Sequence, residues 1–560
     1  MADSRARRPS KREPPSFAAS RPRPTIRPSP SRAFPRRARG RHRTCRVHVA
    51  GRAFVSGRGA RAARSPNERR PSLTHQGIVA LMTTAAIEAA FRTHPAVRDV
   101  RAVQRRGPAG EPRYSCWVVA DESALEAPST GEAARLRKWG KVFDLMHHAP
   151  RSSGGLAHPP SPAWTSSFTR QPFPSEESAA WVDETLRLLR SLSPARVLEL
   201  GCGSGVLVSR LAASCVEYVG TDVSGRSLAS LAHYLAGLHP PLTQVKLFER
   251  AADDLDAFHD EAFDTVIVNS VVQYFPSEAY LRRVLEGASR IVRPGGSIFV
   301  GDVRHLALLE PFCGALELHR ASDELTLDEV HERIERRLAT LDELVLAPAF
   351  FTEWARAHRA RVELVPKRGR FINEFSAYRY EVLLSPRSPE APIASPAWID
   401  WSPEWTLEAI EAALGEPAAG TLALQGVCNA RVERDVTAWR AIRARGYDTV
   451  GELRASVARH PLVGLAPEEL HRLAERLGLR VQLSVASGRD DGRFDVVFGR
   501  AAQVVAWPEA EPGATPFNEP SLNVRRQAMV GPLLTHVQPL LDAASMPASI
   551  TVVDRLPARE

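Results

Sequence analysis

The stretch Arg196-Val197-Leu198-Glu199-Leu200-Gly201-Cys202-Gly203-Ser204-Gly205 constrains this chain more than any other. An apolar strand pattern breaks into three glycines within five positions, and a helical pattern follows from Val206 to Ala213. Glycine is required where a backbone takes φ > 0 or meets a ligand closely, and a helix N-terminus presents unpaired N–H groups. Strand, glycine turn and helix in that order can hold a nucleotide-like ligand. The G-x-G-x-G spacing is tighter than the G-x-G-x-x-G of dinucleotide folds, which argues against a nicotinamide cofactor. Taken alone, these glycines also allow a purely structural turn.

Downstream, strand and helix patterns alternate with the regularity of a parallel sheet. Val216 to Asp222, Val245 to Arg250, Phe263 to Asn269 and Ser297 to Val303 read as strands, separated by helical stretches 224–237 and 277–292. Pro294-Gly295-Gly296 reads as the turn between a helix and its following strand, 322–347 as a charged helical region and 350–359 as a helix. "VELVPKRGRFINEFSAYRYEVLL" reads as a closing pair of strands. Upstream, Ala133 to His147 has helical periodicity, and Ser175 is the expected N-cap of a helix leading into the opening strand.

The glycine turn resembles motif I of class I S-adenosylmethionine (SAM) methyltransferases. Five words in order, "WTSSFTRQPFP", "FDTVIVNSVVQYFP", "GDVR", "PKRGR" and "NEFSAYRYEV", are similar to the methyltransferases embedded in nonribosomal peptide synthetases. The resemblance covers about Leu136 to Leu384. It implies an α/β, Rossmann-like fold with a seven-stranded, mostly parallel sheet whose last strand is antiparallel. It also implies SAM as cofactor, with Gly201, Gly203 and Gly205 passing its methionine part and Glu199 near the ammonium. Glu199 as a solvated strand terminus is the plainer alternative.

Asp222, about twenty residues past the turn, sits where an acidic side chain accepts bonds from ribose hydroxyls in related nucleotide folds. The family places a carboxylate near the adenine amino group, which Asp253 or Asp254 would supply; the sequence leaves the choice between them open. Asn269, Ser270, Gln273 and Tyr274 would face the transferred methyl group, with Asn269, Tyr274 and Glu374 as the polar assistants of the reaction. Tyr274 and Phe275 as ordinary core aromatics is the competing reading.

The flanks carry a second resemblance. "IEAAFRTHPAVRDVRAVQRRGPAGEPRYSCWVVAD" and "NVRRQAMVGPLLTHVQPLLDAASMPASITVVDRLP" look like the beginning and end of the small C-terminal subdomain of synthetase adenylation domains. They would be halves of one small domain split by the methyltransferase. The expected organisation is an Arg/Pro/Ser-rich disordered tail (1–81), a first adenylation-like piece (82–124) and the methyltransferase core (133–385). An accessory α/β region (398–507) and a second adenylation-like piece (515–560) complete it. Within the accessory region, Thr421 to Val427, 479–485 and 494–498 read as strands and 433–444 and 466–477 as helices.

Composition narrows the partners. The net charge is +10, but residues 1–80 hold 21 Lys and Arg against Asp3, Glu13 and Glu68, a net +18 that leaves the other 480 residues at −8. A basic nucleic-acid surface is therefore confined to the tail, and translation from Met82 is the expectation. The six cysteines show no CxxC pairs and no His at zinc spacing, and no apolar run reaches about 18 residues, so neither a metal site, a disulfide framework nor a membrane span is expected. The reading is cytoplasmic. Adenylation phosphate-binding motifs and a carrier-type "GGxS" serine are not found, so the chain is not expected to activate an amino acid itself. The expected function is N-methylation of an aminoacyl thioester on a carrier protein or partner synthetase. O- or C-methylation of a free metabolite, or a non-catalytic remnant, are the alternatives.

Overall fold

Seven apolar segments form the central sheet of the computed structural model. The model describes residues 83–106, 111–121, 123, 131–146, 164–388, 393–415, 421–500, 504–510, 513 and 515–556. The expected disordered tail, 1–81, lies outside the described residues. The strands are β1 (Arg196–Leu200), β2 (Glu217–Asp222), β3 (Val245–Glu249), β4 (Phe263–Asn269), β5 (Val292–Arg304), β6 (Arg361–Pro366) and β7 (Arg379–Ser385). Their order is β3-β2-β1-β4-β5-β7-β6, parallel throughout except for β7, which runs antiparallel to both neighbours. The order reverses between β1 and β4, and the crevice at the carboxyl ends there is where open α/β sheets bind ligands.

Helices cover both faces, which explains why the middle strands are apolar on each side. Val266, Ile267 and Val268 of β4 are all fully buried, each stabilising by roughly 1.5–3 kcal/mol. The helix Glu278–Ile291 starts at the Ser277 side chain, which accepts the Tyr280 N–H, and lays Leu281, Val284, Leu285 and Ala288 on the sheet.

Several local expectations are corrected. After the glycine turn the α-helix spans only Val208–Leu211 and tightens into a 3₁₀ turn, Ala212–Ser214. The Ser209 and Ser214 hydroxyls donate to the Val206 and Leu211 carbonyls and compete with the helical pattern. Ser175 opens its helix, but the cap position is Pro174 and carries no side-chain bond. Pro294-Gly295-Gly296 lies inside β5, as an irregularity in its pairing with β4 where Gly295 takes φ 75°. The charged region 322–347 is helical only over Leu327–Ala339, opened by a Thr326/Glu329 capping box. Beyond it Leu344, Val345 and Leu346 are buried in extended chain, with Leu346 bridging His305.

The accessory region is a four-stranded sheet ordered Trp398–Asp400, Leu422–Val427, Phe494–Gly499, Arg480–Ser484. Its last strand lies beside β6, and the Val485 N–H donates to the Leu364 carbonyl at 2.9 Å, so the edge of the large sheet is covered. The flanks make one three-stranded sheet: Val97–Arg106 pairs antiparallel with Pro112–Ala120, which pairs parallel with Ser549–Val553. Ile87, Phe91, Tyr114, Leu533 and Val552 form its core. No helix among the described residues is long and apolar enough to cross a membrane.

Candidate active site

The three glycines of the turn all have positive φ: 78°, 52° and 82° at Gly201, Gly203 and Gly205. A side chain at Gly201 would strike Val271 at 2.5 Å and one at Gly205 would strike Leu231, whereas at Gly203 a Cβ would meet nothing within 4 Å. Two glycines thus serve packing, and the third leaves open space over the backbone. The turn is sewn to β2: the Gly201 and Cys202 N–H groups donate to the Thr221 carbonyl at 2.8 and 2.9 Å. The Gly203 N–H donates to Asp222 Oδ2 at 2.8 Å, and the other Asp222 oxygen accepts the Ser224 N–H at 2.8 Å.

Glu199 is 4% exposed and is no solvated strand terminus. Tyr218 donates its hydroxyl to Glu199 Oε2 at 2.7 Å. Burial pushes the Glu199 carboxyl up to about 7; the Tyr218 bond opposes this, and nearby Asp222 adds to it. Asp253 and Asp254 differ in setting. Asp254 is exposed and pairs with Arg250 at 2.9 Å, while Asp253 is half-buried, lies against Tyr280 and accepts Arg283 at 3.3 Å.

At the carboxyl end of β4, Asn269 covers Gly301, and its Oδ1 is buried with no hydrogen-bond partner. Ser270 takes φ 56°, and its hydroxyl donates to Asp302 at 2.6 Å. The buried Gln273 donates to the Ser270 carbonyl at 2.9 Å. Tyr274 stands in a single 3₁₀ turn with its ring against Trp139 and Phe143, centroids 4.6 and 5.1 Å away. Those two rings belong to the helix Glu132–Met146, which also accepts the Ser224 hydroxyl at Asp144 (2.6 Å) and pairs Glu132 with Arg283 (2.6 Å). This helix therefore straps across the strand ends from Ser224 to Tyr274, a placement that its own periodicity cannot reveal.

Glu374 accepts both the N–H and the hydroxyl of Ser167 at 2.9 Å, which docks the aromatic turn 164–173 onto the site. Arg304 pairs with Glu343 and lies over the Phe312 ring at 5.2 Å. Burial and Arg379 pull its pKa down to about 10, against the opposing pull of groups that include Glu374 and Tyr274.

Behind this shell lies a charge cluster with no role foreseen from the sequence. Asp302 is fully buried and accepts Arg379 at 2.5 Å, Lys367 at 3.2 Å and the Trp181 indole N–H at 3.3 Å. Lys367 also pairs with Glu381, whose other oxygen accepts the Asp302 N–H at 2.7 Å. Burial favours the neutral Asp302 acid, but Arg379 and Lys367 overcome it and hold the carboxyl well below its usual range. The available signal was composition: Lys367 is one of five lysines in the chain, inside the word "PKRGR".

The donor set fits a cationic, hydroxyl-rich ligand. Asp222 and, above about pH 7, an ionised Glu199 flank an open glycine turn, an arrangement that disfavours a phosphate, and the Asn269 amide oxygen awaits a donor. A family model described as "Methyltransferase domain" matches residues 198–298, from β1 into β5. Chondramide synthase cmdD of Chondromyces crocatus is 32% identical over 501 residues, covering 84% of this chain and 12% of that protein. The chain carries a SAM-dependent methyltransferase domain of the type embedded in nonribosomal peptide synthetases. The probable non-canonical nonribosomal peptide synthetase CymA of Salinispora arenicola is also 32% identical, over 483 residues, covering 84% of this chain and 6% of that protein. The beauvericin nonribosomal cyclodepsipeptide synthetase of Beauveria bassiana is 28% identical over 522 residues, covering 85% of this chain and 16% of that protein. The methyltransferase chain thus spans between 6% and 16% of the length of these three relatives.

Proposed function

We propose that this methyltransferase N-methylates an aminoacyl thioester presented on the phosphopantetheine arm of a carrier protein. One observation carries the reading: segments before and after the methyltransferase core, 97–120 and 549–553, close into a single small sheet. That is the geometry of one domain inserted into another, and synthetases are the relatives that match across 84–85% of the chain. The flanks are read as the two pieces of an adenylation C-terminal-like subdomain.

Bound SAM supplies an electrophilic methyl group on a sulfonium with a thioether leaving group. The residues need only align the reactants, at about 3–3.5 Å between reacting atoms, and keep the nucleophile unprotonated. Gly203 gives the backbone approach for the methionine part, with Glu199 beside its ammonium. Asp222, oriented by the Gly203 and Ser224 N–H groups, would hold the ribose. Asp253 is assigned to the adenine side in preference to the solvent-facing Asp254. The unpaired Asn269 Oδ1 would accept an N–H of the incoming amine and orient it. Ser270, Tyr274 and Glu374 shape the rest of the acceptor side, where an α-amine next to a thioester has a lowered pKa and needs only weak polar assistance. The strap helix excludes water.

Intact-mass measurement of aminoacyl carrier protein incubated with the chain and SAM tests this. The expected result is the gain of one methyl group, located on the amine by fragmentation. Methylation of free metabolites with no carrier dependence, or no transfer across varied aminoacyl groups, overturns it.

A further inference from the structure

The loop 367–376 carries Lys367 at one end, paired with Asp302, and Glu374 near the other, bonded to Ser167. Its C-terminal end is held by its own side chains, where Asn373 and Ser376 form a capping box and Asn373 donates to Glu177 at 2.8 Å. It has glycine at 369, where φ is 133°, and no regular structure before Glu374. The stretch before that cap is gripped from the accessory region. Arg431, in the turn between the strand Leu422–Val427 and the helix Glu433–Arg443, is 5% exposed. Its Nη1 donates to the carbonyls of Lys367 and Ser376 (3.2 Å to the latter), and its Nη2 donates to the Gly369 carbonyl at 2.8 Å. Arg368 adds a second tie, pairing with Glu468 of the accessory region at 3.0 Å, while the Gly369 N–H donates to the same carboxylate at 3.3 Å.

We infer that Arg431 is a positioning residue for methyl transfer, through which the accessory region fixes the loop that sets Glu374 and the Lys367–Asp302–Ser270 chain at the acceptor side. All three of these acceptors are backbone carbonyls, so the guanidinium adds no charge partner to the loop; it fixes shape. The planar guanidinium meets the three carbonyls from two separate nitrogens, whereas an ammonium presents its three donors from a single point. The Arg431 N–H is itself held by Asn429 Oδ1 at 3.1 Å, which ties the clamp to its own turn. Through Lys367 the grip extends to Asp302 and so to the Ser270 hydroxyl; through Ser376 it extends to the helix that begins at Glu374. The accessory region is thus a working part of the acceptor site.

The inference rests on the assignment of Glu374 and Ser270 to the acceptor side, and its test separates the two. Arg431→Met and Arg431→Lys are made in the full chain and compared with wild type by hydrogen-exchange mass spectrometry, SAM calorimetry and aminoacyl-carrier methylation kinetics. In Arg431→Met, amides of 367–376 are expected to exchange at least about 10-fold faster, while 196–205, 422–427 and 494–499 keep their protection. SAM affinity stays within about twofold, and kcat/KM for the carrier-bound acceptor falls about 10- to 100-fold, the scale of a small misplacement of reacting groups. Arg431→Lys recovers part of both losses. Unchanged exchange at 367–376, equal loss across the accessory strands, or SAM affinity falling in step with turnover overturns the clamp. Should wild type methylate no carrier-bound acceptor, the functional reading fails, and the exchange pattern still decides whether Arg431 holds the loop.

Discussion

Ser270 donates its hydroxyl to Asp302 at 2.6 Å, and both residues hold a left-handed backbone, with φ 56° and 66°. Non-glycine residues adopt that conformation at a cost that the surrounding structure must offset. Here the offset is the buried cluster in which Asp302 meets Arg379 and Lys367. The bond joins the ends of β4 and β5, the two strands on the proposed acceptor side.

Asp302→Asn leaves Lys367 and Arg379 short of a buried countercharge. Removing one partner of a buried pair costs about 3–5 kcal/mol. Urea unfolding is expected to show that loss at neutral pH. The native carboxyl is held below its unfolded value, so its contribution is present above about pH 4 and disappears as acid protonates it. The Asp302→Asn deficit therefore shrinks at low pH.

Glu199 gives the opposite sign. Its folded-state pKa is raised to about 7, so the neutral acid predominates below that pH and the carboxylate above it. If the carboxylate faces the SAM ammonium, affinity measured by calorimetry rises as pH increases through about 7. Glu199→Gln is expected to flatten that rise.

The glycines of the turn separate folding from binding. Gly205→Ala drives a Cβ into Leu231, so loss of soluble folded protein is expected. Gly203→Ala meets open space and carries only the left-handed penalty, about 1–2 kcal/mol. Its methyl group enters the open space that the proposal gives to the cofactor. A nearly normal melting transition with SAM binding weakened at least about tenfold is the expected pair of results, the tenfold corresponding to about 1.4 kcal/mol.

Asp253 and Asp254 offer the same contrast. Asp254→Ala removes an exposed turn pair with Arg250, worth about 0.2–1 kcal/mol, and should leave SAM affinity unchanged. Asp253→Ala should weaken it. Equal losses in both variants would contradict the adenine-side assignment.

What was legible in the chain was what local physics encodes. The glycines at 201, 203 and 205, the apolar runs of β1, β2 and β4 and the closing pair β6 and β7 follow from backbone conformation and burial periodicity over a few residues, so the α/β architecture was open to reading. Helix ends were less so, because Ser209, Ser214 and Pro174 alter a turn without disturbing the apolar pattern. The choice between Asp253 and Asp254, the seat of the strap helix over Tyr274, the Asp302–Lys367–Arg379 cluster and the Arg431 clamp join residues tens to hundreds of positions apart. A single sequence carries no distance information for such pairs, and a buried charge looks like any surface charge until its partners are in place. The sequence by itself determined the sheet and its glycine turn; only the tertiary structure decided which charged groups are buried together around the proposed acceptor side, since burial and pairing arise when distant segments pack.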